Sequence, residues 1–221
     1  MHCTLIIPAF NEENKICSTI DGVKNLVDRI ILVDNCSDDK TIVNAEKHKI
    51  IILKHKVNIG KSNSMKTGCE LALNLGTDLI AFMDADGQHH PDDLKRIIDT
   101  IKSKNLDMVV GSRNYLKMPI TRSIGTKMLS LITNILYKVK IKDIQSGLRI
   151  FKSKIFNKLI WESTGSSHYF ADAEITTKAI KNNVKFDEVP IKTIFNDKFK
   201  GMDIFQGVRL MLHLLFWKIF R

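Results

Sequence analysis

Leu79-Ile80-Ala81-Phe82-Met83-Asp84-Ala85-Asp86-Gly87-Gln88-His89-His90-Pro91 is the stretch that decides how this chain is read. Five apolar residues form a run of strand length, and two aspartates two residues apart follow it at once. Pro91 then sits where a first helical turn would begin. Strand, acidic turn and helix in that order make one unit of a parallel α/β sheet, whose ligands gather beyond the carboxyl ends of the strands. Two carboxylates so placed suit a hard divalent cation, with the amide oxygen of Gln88 as a third ligand. The plainer reading is a polar turn whose aspartates cap a helix.

Working outward, short β-branched runs recur at residues 4–8, 30–34, 50–53 and 108–110, separated by segments with helix-start signals. Those signals are Asn11 before Glu12-Glu13, and Ser37-Asp38-Asp39 before Thr41. The expected fold is therefore α/β, a mostly parallel Rossmann-like sheet flanked by helices, with helical, right-handed crossovers. Its acidic and polar clusters, residues 8–12, 34–38 and 84–88, fall on one edge. Beyond Arg113 the pattern changes. A basic, apolar helix is expected over 121–140, a site-lining turn over 143–149, helical pieces over 152–161 and 171–182, and a strand over 185–194. The domain is expected to span 1–203, with an amphipathic helix over 204–221.

Composition limits the readings. The chain has 221 residues, 44% of them hydrophobic and 26% charged, which is ordinary for one globular domain. Its four cysteines are Cys3, Cys17, Cys36 and Cys69; they form no CxxC pair and are read as reduced, mostly buried thiols. No signal-peptide pattern follows Met1 and no apolar run is long enough to span a bilayer, so a cytoplasmic protein is expected, with any membrane contact peripheral. A net charge of +10 suits an anionic partner. Aromatics make up only 7% and no basic-aromatic binding motif occurs, which argues against nucleic acid. Nothing in the composition sets the number of copies that assemble.

Several local motifs have two readings. Asn58-Ile59-Gly60-Lys61-Ser62 resembles part of a phosphate loop, but His55 stands where the full pattern needs glycine, so a P-loop ATPase is rejected. His89 and His90 lack well-spaced soft ligands, so an oxygen-ligated Mg2+ or Mn2+ is preferred to zinc, with these histidines behind the metal ligands or exposed. Asp34 either bonds a base or ribose or caps a loop. Phe10 either packs on a nucleobase or forms a buried staple. Arg113, Arg122 and Arg149 offer forks for phosphate oxygens, or are solvated surface charges. The 204–220 segment mixes aromatic and basic residues, as a membrane-interface helix does, or packs on the protein or a second subunit.

In combination these pieces resemble glycosyltransferase family 2, in its branch of dolichol-phosphate mannose synthases and polyprenyl-phosphate glycosyltransferases. The matching segments are Ile6-Ile7-Pro8-Ala9-Phe10-Asn11-Glu12, Asp34-Asn35-Cys36-Ser37-Asp38, Asn58-Ile59-Gly60-Lys61, 84–88, Gly111-Ser112-Arg113, Gln145-Ser146-Gly147-Leu148-Arg149 and Glu188-Val189-Pro190-Ile191. Their order and spacing across nearly the whole chain are far more specific than any one of them.

The resemblance implies the GT-A fold, a nucleotide-sugar donor such as GDP-mannose or a UDP-hexose, a polyprenyl phosphate acceptor, and inversion without a covalent intermediate. It implies that Pro8, Phe10, Glu12 and Asp34 hold the nucleoside, and that Asp84, Asp86 and Gln88 hold a metal bridging the diphosphate. Arg113, Arg122 and Lys198 would line the acceptor-phosphate side; Lys198 stands where the family often has an arginine. A hydroxyl acceptor would instead need a carboxylate base, for which Asp172 and Glu174 are the candidates. The rival readings are transfer to a soluble sugar or protein acceptor, and nucleotidyl transfer.

Overall fold

The computed structural model describes residues 1–161, 170–194 and 204–220. Its framework is a seven-stranded sheet in the order β3-β2-β1-β4-β6-β5-β7. The strands are β1 (Cys3–Ala9), β2 (Arg29–Asp34), β3 (Ile51–Lys54), β4 (Leu79–Phe82), β5 (Met108–Ser112), β6 (Arg149–Lys152) and β7 (Phe186–Pro190). β1 pairs in parallel with β2 and β4, β2 with β3, and β5 with β7, while β6 runs antiparallel to both β4 and β5. The chain thus has the mostly parallel α/β sheet of the GT-A fold.

The strands read as continuous apolar runs because both faces of the sheet are covered. Successive residues alternate between two cores, as the two-residue period of a strand requires. On one side Leu5, Ile7, Leu79, Ala81, Val109 and Ile150 pack against α1 (Ile16–Val23) and α4 (Pro91–Ser103). On the other side Ile6, Ile80, Phe82, Val110 and Phe151 meet α3 (Lys61–Asn74), α6 (Phe156–Leu159) and α7 (Phe170–Lys181). The short α2 (Thr41–Ala45) follows β2. A third cluster joins α5 (Ile120–Tyr137), α7 and α8 (Ile204–Phe220) through Leu129, Phe170, Ala173, Leu210, Leu214 and Trp217.

The helix starts follow local chemistry in two cases. His90 caps α4, its Nδ1 accepting from the Asp92 amide at 3.2 Å with Pro91 in the first turn, and Asp39 Oδ1 accepts from the Thr41 amide at 2.8 Å at the start of α2. Asn11 does not cap. It takes a left-handed φ of 54° in the loop after β1, and α1 begins only at Ile16.

Three expectations along the second half are corrected. The turn over 143–149 ends at Leu148, and Arg149 opens β6, a central strand that sequence reading missed. Arg149-Ile150-Phe151-Lys152 is only four residues long with cations at both ends, too short for a period-two pattern to emerge; its Arg149 and Lys152 are nevertheless buried. The helix expected over 152–161 shrinks to a 3-10 turn, Ser153–Ile155, and the single turn of α6. Trp161 lies outside it, buried, with its indole N–H donating to the Ser62 carbonyl at 3.1 Å. The strand over 185–194 contracts to β7. The four cysteines are unpaired; Cys3 and Cys69 are buried, Cys17 and Cys36 partly so. Among the described residues no helix is long and apolar enough to cross a membrane.

Candidate active site

Because β1, β2, β4 and β5 all point the same way, their carboxyl ends deliver Phe10, Asp34, Asp84 and Arg113 to one edge of the sheet. β6 runs the other way, so its first residue, Arg149, paired with Phe82, reaches the same edge. Convergence of segments more than a hundred residues apart thus follows from strand direction alone.

The loops after β1 and β2 are tied to each other. The amides of Asn11, Glu12 and Glu13 donate to Ser37 Oγ, Thr41 Oγ1 and Asp39 Oδ2 at 3.0, 2.8 and 3.0 Å. Phe10 stands out from this platform, 44% exposed, which removes the buried-staple reading. Pro8 is buried within β1 and contributes to the floor. Asp34 is fully buried; its Oδ2 accepts from the Ser37 amide at 3.1 Å, while Oδ1 has no hydrogen-bond partner among the described residues. Asn35 links this platform to the Asn58–Lys61 loop, donating from Nδ2 to Asn58 Oδ1 at 2.7 Å and accepting from the Ile59 amide at 3.0 Å.

That loop aims Lys61, the first residue of α3, into the centre of the site. Its Nζ lies 2.5 Å from Asp84 Oδ1 and 3.3 Å from Asp172 Oδ2. On its far side Asp84 Oδ2 is 3.5 Å from His89 Nε2. Asp172 also meets Arg149: Nη2 stands 3.0 Å from Asp172 Oδ1, and Nη1 donates to the Asp172 carbonyl at 2.7 Å. Burial alone would raise the Asp84 pKa, but Lys61 and His89 outweigh it and hold the carboxyl far below its ordinary range. Burial alone would lower Lys61; Asp172 and Asp84 reverse this and hold the ammonium above its usual value.

Asp86 differs from its neighbour. Burial, and then the negative charge of Asp84, push its carboxyl upward, while the Gln88 amide donates to Oδ1 at 3.0 Å. Gly87 makes this turn at φ +74°, a left-handed geometry that glycine adopts without strain. A divalent cation fits this pair. The described residues hold no group of three or more His, Cys, Asp or Glu able to cage a metal. Mg2+ and Mn2+ sites completed by phosphates and water need only one or two carboxylates, and a cation here would relieve the repulsion that raises Asp86.

The turn over 145–147 closes on Asp84 at a distance only glycine permits. A Cβ on Gly147 would lie 2.4 Å from Asp84 Oδ2. Further along the edge, Arg113 is gripped in two-pronged fashion by Asp143, Nε to Oδ2 at 2.6 Å and Nη2 to Oδ1 at 2.9 Å, with about a fifth of its side chain exposed (21%). Glu188 braces Asp143 by accepting from the Lys142 and Asp143 amides at 2.8 and 3.0 Å. A cavity of about 360 Å³ opens beside it, lined by Arg113, Tyr115, Lys127 and Lys142 among others.

The structure brings Pro8, Phe10, Glu12, Asp34, Asp84, Asp86, Gln88 and Arg113 to one edge of the sheet, with Arg122 half-buried on α5. Arg149 is a correction. It is fully buried, so it offers no fork to a phosphate and instead supports Asp172 and the Ser146 carbonyl from below. Glu174 is also buried and faces Lys178 at 3.5 Å. His89, 7% exposed, backs Asp84, whereas His90 is taken up by the α4 cap. Lys198 lies outside the described residues. Sequence reading gave Lys61, Asp143 and Gly147 no task. The signal was present for two of them, inside the Asn58–Lys61 and Gln145–Arg149 motifs, but only contacts across the fold reveal their partners.

The chain matches known proteins along most of its length. The glycosyl transferase family 2 model matches residues 4–160. An uncharacterized protein of Methanocaldococcus jannaschii is 36% identical over 98% of this chain and 92% of its own length. The UDP-N-acetylglucosamine–dolichyl-phosphate N-acetylglucosaminyltransferase of Methanococcus voltae is 35% identical, covering 97% of this chain and 95% of that protein. Among solved structures, glucosyl-3-phosphoglycerate synthase from Mycobacterium tuberculosis, in complex with Mn2+, UDP and glucosyl-3-phosphoglycerate, superposes with a TM-score of 0.77 at 15% identity, over 98% of this chain and 79% of that one, a likeness of fold.

Proposed function

Since the chain belongs to glycosyl transferase family 2 and resembles its polyprenyl-phosphate glycosyltransferases, we propose that it transfers a hexosyl group from a nucleotide sugar to a polyprenyl or dolichyl phosphate, with inversion, at the cytoplasmic face of a membrane. The Methanococcus voltae relative, a UDP-N-acetylglucosamine–dolichyl-phosphate N-acetylglucosaminyltransferase 35% identical over nearly the full length, supports a UDP-sugar over GDP-mannose as donor. Phe10 offers an exposed ring for the base, and the unpartnered Asp34 Oδ1 is an acceptor at the nucleoside end.

The observation that carries the acceptor reading is the state of the two candidate bases. Asp172 is held by Arg149 and Lys61, and Glu174 by Lys178, so neither stands ready to take a proton from a hydroxyl. A phosphate monoester needs no such base, because its second pKa near 6 leaves a charged oxygen at neutral pH. That oxygen attacks the anomeric carbon as the bond to the nucleoside diphosphate breaks, and the diphosphate leaves with the electron pair. Asp84, Asp86 and Gln88 would hold Mg2+ or Mn2+, which when bound supplies Lewis-acid charge to the diphosphate. Lys61 contributes a fixed positive charge beside the carboxylates, and Arg113, oriented by Asp143, with Arg122, presents positive charge on the acceptor side.

The test is a transfer assay with purified protein, a panel of nucleotide sugars, a short polyprenyl phosphate and Mg2+ or Mn2+, with and without chelator. Metal-dependent formation of a lipid-linked sugar of inverted configuration is expected. Transfer confined to soluble acceptors, or retention of configuration, would overturn the reading.

A further inference from the structure

Asp84 has no free oxygen. Its Oδ2 lies 3.5 Å from His89 Nε2, a side chain only 7% exposed, and Gly147 presses on the same oxygen so closely that a Cβ there would overlap it. That face of the carboxylate is closed. Oδ1 is the open face, and Lys61 Nζ stands on it at 2.5 Å, with 26% of the lysine side chain exposed. A divalent cation bonds carboxylate oxygens at about 2.1 Å. An ammonium held on that oxygen would face the cation across a few ångströms, where like charges repel strongly. Lys61 and the metal are therefore alternative partners of Asp84.

The lysine has a second seat. Its Nζ is already 3.3 Å from Asp172 Oδ2. Asp172 is fixed without help from Lys61, because Arg149 Nη2 lies 3.0 Å from its Oδ1 and Nη1 donates to its carbonyl at 2.7 Å. The start of α3 is fixed as well, with the Gly60 amide donating to Asn58 Oδ1 at 3.1 Å. Turning the ammonium from Asp84 towards Asp172 needs only rotation of its flexible four-carbon stem. The backbone can stay where it is.

A diphosphate changes the balance between the two partners of Asp84. It brings oxygens that complete the shell of the metal and negative charge that receives the ammonium. Metal arriving alone must take Asp84 from Lys61 without recompense. Metal arriving with a diphosphate offers the lysine a new anion as it leaves. Each ligand then strengthens the other, and linkage makes the effect reciprocal.

We infer that Lys61 is a positioning residue that acts through Asp84 to couple metal and diphosphate: it competes with the divalent cation for this carboxylate and yields when a diphosphate is bound. The inference rests on the metal and nucleotide-sugar site proposed above, and it concerns the diphosphate alone, whatever base or sugar that carries.

Calorimetric titration of the full chain with Mn2+, alone and with inorganic pyrophosphate at buffered free Mn2+, tests the coupling without sugar nucleotide or lipid. Lys61→Met should bind Mn2+ alone at least ~10-fold more tightly than the wild type, because no charge-assisted hydrogen bond has to be given up. In saturating pyrophosphate the two proteins should differ by less than ~3-fold. Lys61→Gln, also neutral, should behave as Lys61→Met does and supplies the measurement if the methionine variant does not fold. Lys15→Met is the control for charge. The Lys15 stem passes 3.5 Å from the position of a Gly87 Cβ, beside the metal-binding turn rather than on Asp84. Its loss should change Mn2+ affinity by no more than ~2-fold, as expected for an exposed, screened charge. Unchanged or weaker Mn2+ binding by the neutral Lys61 variants, an equal gain with and without pyrophosphate, or an equal gain in Lys15→Met would each overturn the inference while leaving the metal site in place. Absence of Mn2+ binding from every one of these proteins would overturn the site and the inference together.

Discussion

Gly147→Ala puts the closeness of the 145–147 turn and Asp84 to a direct test. The added Cβ would lie 2.4 Å from Asp84 Oδ2 and 3.1 Å from its Cγ, against an ordinary contact of at least 3.4 Å. Something must therefore move by about 1 Å. Asp84 has little freedom, being held by Lys61 at 2.5 Å on one side and His89 at 3.5 Å on the other. Retreat of the carboxylate would displace a proposed metal ligand, and a displacement of about 1 Å costs roughly 100-fold in rate, or about 2.7 kcal/mol of transition-state stabilisation. Overpacking of this kind destabilises by about 1–3 kcal/mol, a fall of a few degrees in Tm for a chain of this length. Initial rates in the metal-dependent transfer assay, alongside thermal unfolding, give both quantities. Gly125→Ala is the control: a Cβ there meets nothing within 4 Å, so helix propensity alone should raise stability by up to ~1 kcal/mol while activity is kept. A Gly147→Ala enzyme with wild-type rate and Tm would refute the reasoning.

Other consequences can be measured on the same preparations. Asp86→Ala should lower transfer by roughly 100-fold or more, the loss of about 3 kcal/mol of transition-state interaction, and weaken Mn2+ binding measured by calorimetry; unchanged turnover in a folded variant would remove Asp86 from the site. Arg149→Met removes one of the two cations that hold Asp172, Lys61 remaining at 3.3 Å, and should destabilise by about 1–3 kcal/mol, read as a lower urea midpoint; an unchanged midpoint would show that the ion pair contributes nothing. Tyr137 is buried where α5 meets α8, and burial pushes its phenol up to about 12 from 10.0. The stability this contributes is complete below pH 10 and is lost as pH rises from about 10 to 12, because the unfolded chain ionises first. Tyr137→Phe should flatten the loss of stability across that window in urea titrations, and an identical alkaline profile in the variant would contradict the assignment.

The strand–turn–helix order and the positions of the carboxylates were legible in the sequence because they depend on neighbouring residues. A continuous apolar run of strand length, an acidic turn and a helix-start proline are local, and they placed Asp34, Asp84 and Asp86 at or just beyond strand ends. Parallel strand direction then required those ends to meet. The charge character of the 204–220 segment was legible for the same reason, since it needs only composition.

Tertiary structure decided what depends on contact between distant elements. Strand β6 is four residues long with charged ends, and it becomes a central strand only because β4 and β5 flank it. That placement buried Arg149 and changed it from a phosphate ligand into a support for Asp172. Lys61 acquired its importance by lying between Asp84 and Asp172, and Arg113 by closing on Asp143. The sequence of α5 shows both aliphatic and hydroxyl residues at helical spacing, but which stripe faces outward is fixed by what covers the other: Ser123, Thr126, Ser130 and Thr133 are buried, while Ile120, Ile124, Leu131 and Ile135 are exposed. Burial is a property of the assembled chain, and it turned an ordinary amphipathic pattern into an outward-facing apolar surface.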